Sequence, residues 1–470
     1  MDINPGIFKA YDIRGIWNKE LFPETAYLIG LGMGTYYKRN QVSTVYVSRD
    51  NRVSGQEISE NLIKGIRETG TNVVYLGVIT TPMNYSSWYL REAQGSVSIT
   101  ASHNPPEYNG FKAALKKVHF SSDDYQHIKD LVLNQDFEKS TELGAYSEDD
   151  LWPDYLARVT QDIKLNRPVK VVLDCGNGTC SDTTEVVLQK IGCEVIQLFC
   201  EHDGSFPNHA PYPQKEDLYT VLKETIAKEK ADMGIAMDGD GDRFGVYDEK
   251  GKFIGNDLIG ALIGTGIAKA NPGMTAVFNV STSQMAVDQI ENAGGKMILW
   301  KTGYPFIIEK MKETGALIGN EIAGHFFLKD KYYGFDDATY AAARFVEFYS
   351  QQEKTVSELV SSMPQYVSTP EFRVPAPDEP DNNKFTIIAD IIKKFKEEYK
   401  DATIMDFDGL RIAFADKSWI LIRNSNTEPL ITGRAEAKTP ERLEELKALL
   451  VATLKEYGVT LDWSNPIASH

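Results

Sequence analysis

The sequence predicts an α/β protein in which three similar α/β domains with mixed, largely parallel sheets precede a smaller α+β domain, all around a central cleft. Three observations predict it. A length of 470 residues leaves room for three to four domains at roughly 150 residues each. A unit of apolar strand, polar loop, amphipathic helix, glycine and second strand recurs three times. A Pro-rich stretch then separates these copies from a tail with a different pattern.

The copies are VYVSRDNRVSGQEISENLIKGIRETGTNVVYL, KVVLDCGNGTCSDTTEVVLQKIGCEVIQL and AVFNVSTSQMAVDQIENAGGKMIL. Gly70, Gly192 and Gly294 are followed three and four residues later by apolar pairs: Val73 and Val74, Val195 and Ile196, Met297 and Ile298. A glycine that closes a helix ahead of a buried strand accounts for this spacing. Right-handed crossovers between parallel strands follow. Each copy continues into another apolar strand and a loop rich in reactive side chains: SITASHNPPEYNGFKAAL, GIAMDGDGDRFGVYD and ALIGNEIAGHFFL. Ligands bind at such strand ends in open α/β sheets, so three unlike loops at matching places predict one shared site in the cleft.

Beyond Asp336 a helix is expected over Asp337 to Gln351, then the linker PQYVSTPEFRVPAPDEPDNN. The tail reads as a helix over Ile387 to Tyr399, strands over Leu410 to Phe414, Trp419 to Ile422 and Leu430 to Glu436, and a helix over Pro440 to Tyr457. The turn RNSNTEP precedes the last strand. The expected domains are 1–145, 146–254, 255–366 and 367–470.

The 67 acidic and 50 basic side chains leave a net charge of −17, which argues against sequence-independent binding to nucleic acid or to an anionic membrane. The best candidate for a membrane span, Leu258 to Ala268, is short and interrupted by glycine, and MDINPGIFKAYDIRG has neither a basic start nor an apolar signal core. A cytoplasmic enzyme with no obligate protein partner is expected. Cys175, Cys180, Cys193 and Cys200 match neither a zinc ribbon nor a C-x-x-C redox site and are expected to be buried small hydrophobes. The alternative is a metal cluster that adds His202 and His209.

In AMDGDGDRFG, Asp238, Asp240 and Asp242 alternate with glycine, so a tightly folded backbone can aim three carboxylates at one cation. Three oxygens leave positions open, as Mg²⁺ prefers when a phosphoryl group completes its shell. A calcium loop would use Glu249 at its twelfth position, but Arg243 stands where that loop needs glycine and strands flank it. The bland alternative is a solvated acidic turn. In TASHNPPEYNGFK, Ser102 offers a hydroxyl nucleophile, His103 lies beside it, and Lys112 is a proton donor or cation. Alone, Ser-His followed by prolines is more often an N-cap or turn. RNSNTEP supplies Arg423, Ser425, Asn426 and Thr427, the donors that hold a phosphate dianion, or else a hairpin turn bonded to its own backbone. Glu321 and His325 in GNEIAGHFF are a core pair or sugar-hydroxyl ligands.

Taken in order, KAYDIRG (Lys9 to Gly15), TASHNP, DGDGDR, NEIAGH and RNSNTEP resemble the motifs of the α-D-phosphohexomutase family, in its bacterial phosphomannomutase/phosphoglucomutase branch, over nearly the whole chain. The SNTEP form favours that branch over the phosphoglucosamine branch, whose loop usually reads SGTEP. The resemblance implies that phospho-Ser102 passes its phosphoryl group to a hexose monophosphate, and that the hexose 1,6-bisphosphate reorients and returns its other phosphate. Hexose 6-phosphate and hexose 1-phosphate, of mannose, glucose or both, would thereby interconvert. It also implies Mg²⁺ held by Asp238, Asp240, Asp242 and Ser102, with Arg14, His103 and Lys112 as catalytic groups and Lys112 as general acid or base. Tyr11, Arg243, Lys301, Glu321 and His325 would contact substrate, and Arg423, Ser425, Asn426 and Thr427 would hold the phosphate that is not reacting. Closure of the fourth domain across its linker would exclude water.

The alternatives are a Mg²⁺-dependent sugar phosphatase and a non-catalytic sugar-phosphate-binding relative. A phosphatase of the D-x-D-x-[TV] kind fits poorly with Arg243 and Phe244, and a non-catalytic relative should lack Ser102 or an aspartate that this chain retains. Three positions depart from the branch pattern: Ala323 where serine is usual, Tyr304 where histidine is usual and Ser281 where lysine is usual.

Overall fold

In the computed structural model, which describes residues 3–379, 382–425 and 430–466, the chain divides into two units. The first is Met1–Ile259 with Ala323–Ser357, and the second is Gly260–Ile322 with Glu358–His470.

Two sheets of the same construction organise the first unit. In one, Thr44–Arg49 pairs in parallel with both Asn72–Val78 and Gly95–Ile99, and Gly95–Ile99 returns antiparallel through Tyr108–Leu115. In the other, Lys170–Asp174 pairs in parallel with Glu194–Leu198 and Met233–Met237, and Met233–Met237 returns antiparallel through Phe244–Tyr247. The serine loop and the acidic loop thus occupy the same place, the connection between the last parallel strand and its antiparallel return. Both of those last parallel strands are buried along their whole length, which is why they read as unbroken apolar or small-residue runs.

Helix Gly55–Glu68 buries Ile58, Leu62 and Ile66, spaced four apart, in the core that also contains Val45, Val47, Val97 and Ile99. Each such side chain contributes roughly 1.5–3 kcal/mol by leaving water. Helix Pro23–Arg39 lies against it through glycines, since a Cβ on Gly65 would stand 2.2 Å from the Tyr27 carbonyl oxygen. Gly65→Ala should therefore force the helices apart and cost about 1–3 kcal/mol of stability. Calorimetry on the two proteins checks this, and an unshifted first transition would contradict it.

Tyr146–Glu148 adds in parallel to Asn72–Val78 at the edge of the first sheet. One correction concerns the cysteines. Cys180 and Cys193 are free and buried as expected, but Cys175 and Cys200 form a disulfide. They follow neighbouring parallel strands, which brings their Cα atoms to 5.0 Å. His202 pairs with Asp182 and His209 with Asp174, and among the described residues neither histidine joins a metal-ligand cluster.

In the second unit, Thr275–Asn279 lies between Lys296–Trp300 and Ile318–Asn320, both parallel to it. The C-terminal sheet is antiparallel and carries helices Lys384–Glu398 and Pro440–Glu456, whose Ile391, Phe395, Leu450 and Leu454 enter its core. The expected linker is partly sheet: Val367–Ser368 and Phe372–Pro375 both pair with Leu430–Ala437. Pro375 ends its strand, a position where a missing N–H is tolerated. Among the described residues no helix is long and apolar enough to cross a membrane.

Candidate active site

Strand Gly95–Ile99 delivers Ser102 into a buried turn with φ of +52°, a left-handed conformation that costs a non-glycine residue on the order of 1–3 kcal/mol. The surroundings hold it there. The Thr100 hydroxyl accepts from the Ser102 N–H at 2.8 Å. The fully buried Arg52 donates to the carbonyls of Ser102 (2.8 Å), Asn104 (2.6 Å), Pro105 (2.6 Å) and Tyr108 (3.2 Å), and Asp50 anchors it at 3.1 Å. One guanidinium therefore shapes the whole serine loop. Ser102 Oγ lies 3.0 Å from Asp238 Oδ2, to which it donates, and 3.2 Å from His103 Nδ1. Burial, and then Arg243 and Arg14, push the His103 pKa well below its ordinary value, so its ring is neutral near pH 7.

The acidic loop meets this turn directly. A Cβ on Gly239 would stand 2.5 Å from the Ser102 carbonyl oxygen, so only glycine lets the loops approach this closely. Asp238 Oδ1 accepts from the N–H groups of Gly241 (2.9 Å), Asp242 (3.1 Å) and Arg243 (3.2 Å), which curls the loop around its own carboxylate. Ligand atoms of Asp238, Asp240 and Asp242 all lie within 4.8 Å of one another, and all three residues are buried. Asp240 Oδ2 accepts from Thr81 Oγ1 (2.7 Å) and Lys112 Nζ (2.8 Å), and Lys112 also donates to Asp242. Asp240 Oδ1 and Asp242 Oδ1 are buried without a hydrogen-bond partner. Two orphaned carboxylate oxygens among three clustered aspartates fit a hard divalent cation, which would satisfy both.

The charges within the cluster are unevenly held. Burial, and then Asp242 and Asp240, push the Asp238 pKa well above the usual carboxylate range. Burial would raise Asp242 too, but Lys112, His325 and Arg243 outweigh it and hold that group well below the range. Lys112 is raised despite burial, because Asp240 and Asp242 face it.

Arg243 leaves the same loop toward His325. Its Nε lies 2.8 Å from His325 Nε2, and His325 Nδ1 lies 2.8 Å from Asp336 Oδ2. Arg14, on a strand paired antiparallel with the Lys112 strand, donates to the Asn104 side chain and pairs with Asp12. Tyr11 is half-buried just ahead of that strand.

A second group of expected residues assembles in the other unit. Glu321 Oε1 accepts from the Gly303 N–H at 2.6 Å and so fixes the turn that follows Lys301. Asp408 accepts from the Thr302 N–H (2.8 Å) through one oxygen and pairs with Arg423 (3.2 Å) through the other. Lys384 Nζ donates to the Ser425 carbonyl at 2.8 Å. Asn426 and Thr427 lie outside the described residues. Arg52, Thr81, Asp336 and Asp408 escaped the sequence reading. Only SRDNR at a strand end and DFDGL before a strand hinted at two of them.

Four family models match in order along the chain: phosphoglucomutase/phosphomannomutase alpha/beta/alpha domain I over residues 5–139, domain II over 153–251, domain III over 255–366 and the C-terminal domain over 372–453. The chain is 38% identical to the phosphomannomutase/phosphoglucomutase of Pseudomonas aeruginosa over 458 residues, 97% of this chain and 96% of that one. A crystal structure of a phosphoglucomutase/phosphomannomutase family protein from Burkholderia thailandensis superposes with a TM-score of 0.89 at 33% identity, covering 97% of this chain and 98% of that one. At 13% identity, the fold is also shared with the N-acetylphosphoglucosamine mutase of Aspergillus fumigatus, solved in complex with GlcNAc-6P and magnesium (TM-score 0.62, covering 97% and 96% of the two chains).

Proposed function

Since this chain belongs to the phosphoglucomutase/phosphomannomutase family and is a phosphohexomutase, we propose that Ser102 carries the transferred phosphoryl group between positions 6 and 1 of the phosphates of glucose, mannose or both. In the forward half, the Ser102 Oγ–P bond breaks as a sugar hydroxyl oxygen forms a new P–O bond and gives up its proton, producing a hexose 1,6-bisphosphate. After the sugar turns around, its other phosphoryl group returns to Ser102 Oγ and a proton returns to the freed sugar oxygen. The observation that carries this reading is the buried Ser102 hydroxyl, 3.0 Å from an aspartate of a three-carboxylate cluster.

Mg²⁺, held by Asp238, Asp240 and Asp242 with an oxygen of the Ser102 phosphoryl group, would neutralise charge on the group in transfer. On this reading Lys112 holds or gives a proton beside it, and His103 and Arg14 position the serine loop and its phosphoryl oxygens, which their contacts with Asp240, Ser102 and Asn104 support. Arg243, locked by His325 and Asp336, faces the substrate with its guanidinium fixed in one orientation. Tyr11, Lys301, Glu321 and His325 contact the sugar phosphate, and Arg423, Ser425, Asn426 and Thr427 hold the distal phosphate. Hexose phosphates in the cytoplasm are its proposed ligands.

Assaying glucose 1-phosphate and mannose 1-phosphate side by side, with Mg²⁺ and a trace of hexose 1,6-bisphosphate, tests the reading. Conversion of either to its 6-phosphate without release of inorganic phosphate is expected, whereas stoichiometric phosphate release would mark a phosphatase. Ala323→Ser, which restores the hydroxyl usual in this loop, should change the glucose-to-mannose ratio of kcat/KM by roughly fivefold, the worth of about one neutral hydrogen bond. A constant ratio would show that residue 323 does not read the sugar.

A further inference from the structure

We infer that a cavity of about 610 Å³ between helix Gly55–Glu68 and the outer strands of the first sheet binds a small organic phosphate with a flat body, of the nucleoside monophosphate kind. Its volume falls in the range of small-molecule sites, roughly 300–1,000 Å³. Neither Ser102 nor any of the three aspartates lines it.

Three cations converge there: Arg49 from the end of its strand, and Lys64 and Arg67 from one face of the helix. Among the described residues none of them forms an ion pair, and the contacts they make are to neutral groups. Arg49 donates to the Tyr75 hydroxyl (3.1 Å) and the Asp50 carbonyl (3.2 Å), Arg67 donates to the Gly144 carbonyl (2.8 Å), and Lys64 lies over the Tyr27 ring at 5.3 Å. The carboxylates at the cavity are engaged instead with other partners. Glu68 accepts from the Tyr27 hydroxyl (2.6 Å) and pairs with Lys139 (3.7 Å), and Glu60 accepts from Gln56 (3.1 Å).

The lining sets three cations against the carboxylates of Glu60 and Glu68, a local surplus of positive charge in a chain of net charge −17, and among the described residues no carboxylate pairs with Arg49 or Arg67, so their N–H groups can turn to phosphate oxygens. Two of them are guanidinium forks, whose paired N–H groups match phosphate oxygens better than an ammonium does. The remaining walls set the rest of the ligand. Ile63 and Tyr75 form the apolar lining, and Leu143 and Tyr146 stand at the mouth with 62% and 43% of their surface exposed. Aromatic and aliphatic surface held open beside a cationic floor suits a planar ring bearing a phosphate.

The test is equilibrium dialysis of radiolabelled adenosine 5′-monophosphate against the Mg²⁺-loaded full chain, with excess glucose 1,6-bisphosphate present to occupy the catalytic site. One adenosine monophosphate per chain is expected. Arg49→Gln and Arg67→Gln should each weaken its binding about tenfold or more, the loss of one charged hydrogen bond. Mutase turnover of both variants should match the parent, which shows that they fold. Adenosine and inorganic phosphate should each bind more weakly than the combined ligand. Absence of binding, displacement by the bisphosphate, or indifference to both substitutions would overturn the site. Inorganic phosphate binding as tightly as adenosine monophosphate would overturn the flat-body requirement.

Discussion

Ser102→Ala is expected to lower mutase turnover by at least about three orders of magnitude, roughly 4 kcal/mol of transition-state stabilisation, while hexose phosphate binding changes little. No neighbour can substitute for it. The side-chain atoms nearest the Ser102 hydroxyl are a carboxylate oxygen of Asp238 and the neutral imidazole of His103, which would form an acyl phosphate and a phosphoramidate rather than a phosphoester. The loss should not be a folding effect. The Arg52 contacts are to backbone carbonyls and survive the substitution, and the two side-chain contacts removed, to Asp238 and His103, are worth only about 1–3 kcal/mol together. Labelling with hexose 1,6-bisphosphate checks the assignment directly: parent enzyme should take up one phosphoryl group on the peptide containing Ser102, and the variant none. Label on any other residue, or turnover within tenfold of the parent, would sink it.

Asp240→Asn is expected to reduce kcat about a hundredfold or more with KM within a few-fold, because the charge removed acts mainly on the phosphoryl group in flight. Asparagine keeps the volume and can still accept from Thr81, but it replaces the orphaned Oδ1 or its charged partner with a neutral group and leaves Lys112 with Asp242 alone. EDTA should silence the parent enzyme and Mg²⁺ should restore it. Thermal melts on the same preparations separate chemistry from unfolding, since disturbing a buried ion pair also carries a stability cost. Full turnover in metal-free parent enzyme would refute the assignment of the three aspartates.

What could be read in the sequence was whatever repeats or alternates locally. The Asp-Gly alternation announced the acidic loop, and the runs at Gly95–Ile99 and Met233–Met237 announced the strands that carry both loops. The C-terminal helices and the strands at Leu410–Ala413, Trp419–Asn424 and Leu430–Ala437 fell within two or three residues of expectation. Arg52 was not legible, because its partners are main-chain carbonyls some fifty residues away and a carbonyl has no residue type. Asp408 was hidden similarly, since it bonds a backbone N–H across 106 positions. Phe372–Pro375 was mistaken for linker because prolines at both flanks are punctuation in most sequences but are permitted on edge strands. The pairing of Cys175 with Cys200 depends on two strands standing side by side, which no spacing rule for cysteines encodes.

The left-handed backbone at Ser102 bears on how this position can change during evolution. If Ser102 carries the phosphoryl group as proposed, two demands meet there, a hydroxyl and a positive φ, and few side chains satisfy both. Glycine and asparagine suit the backbone but bring no hydroxyl. Threonine brings the hydroxyl, but its branched Cβ is crowded by the adjoining carbonyl in that conformation. Tyrosine would need room for a ring where the acidic loop touches the serine carbonyl. Every single replacement therefore gives up either the chemistry or the turn, and a lineage that keeps this loop has no neighbouring sequence through which to drift away from serine.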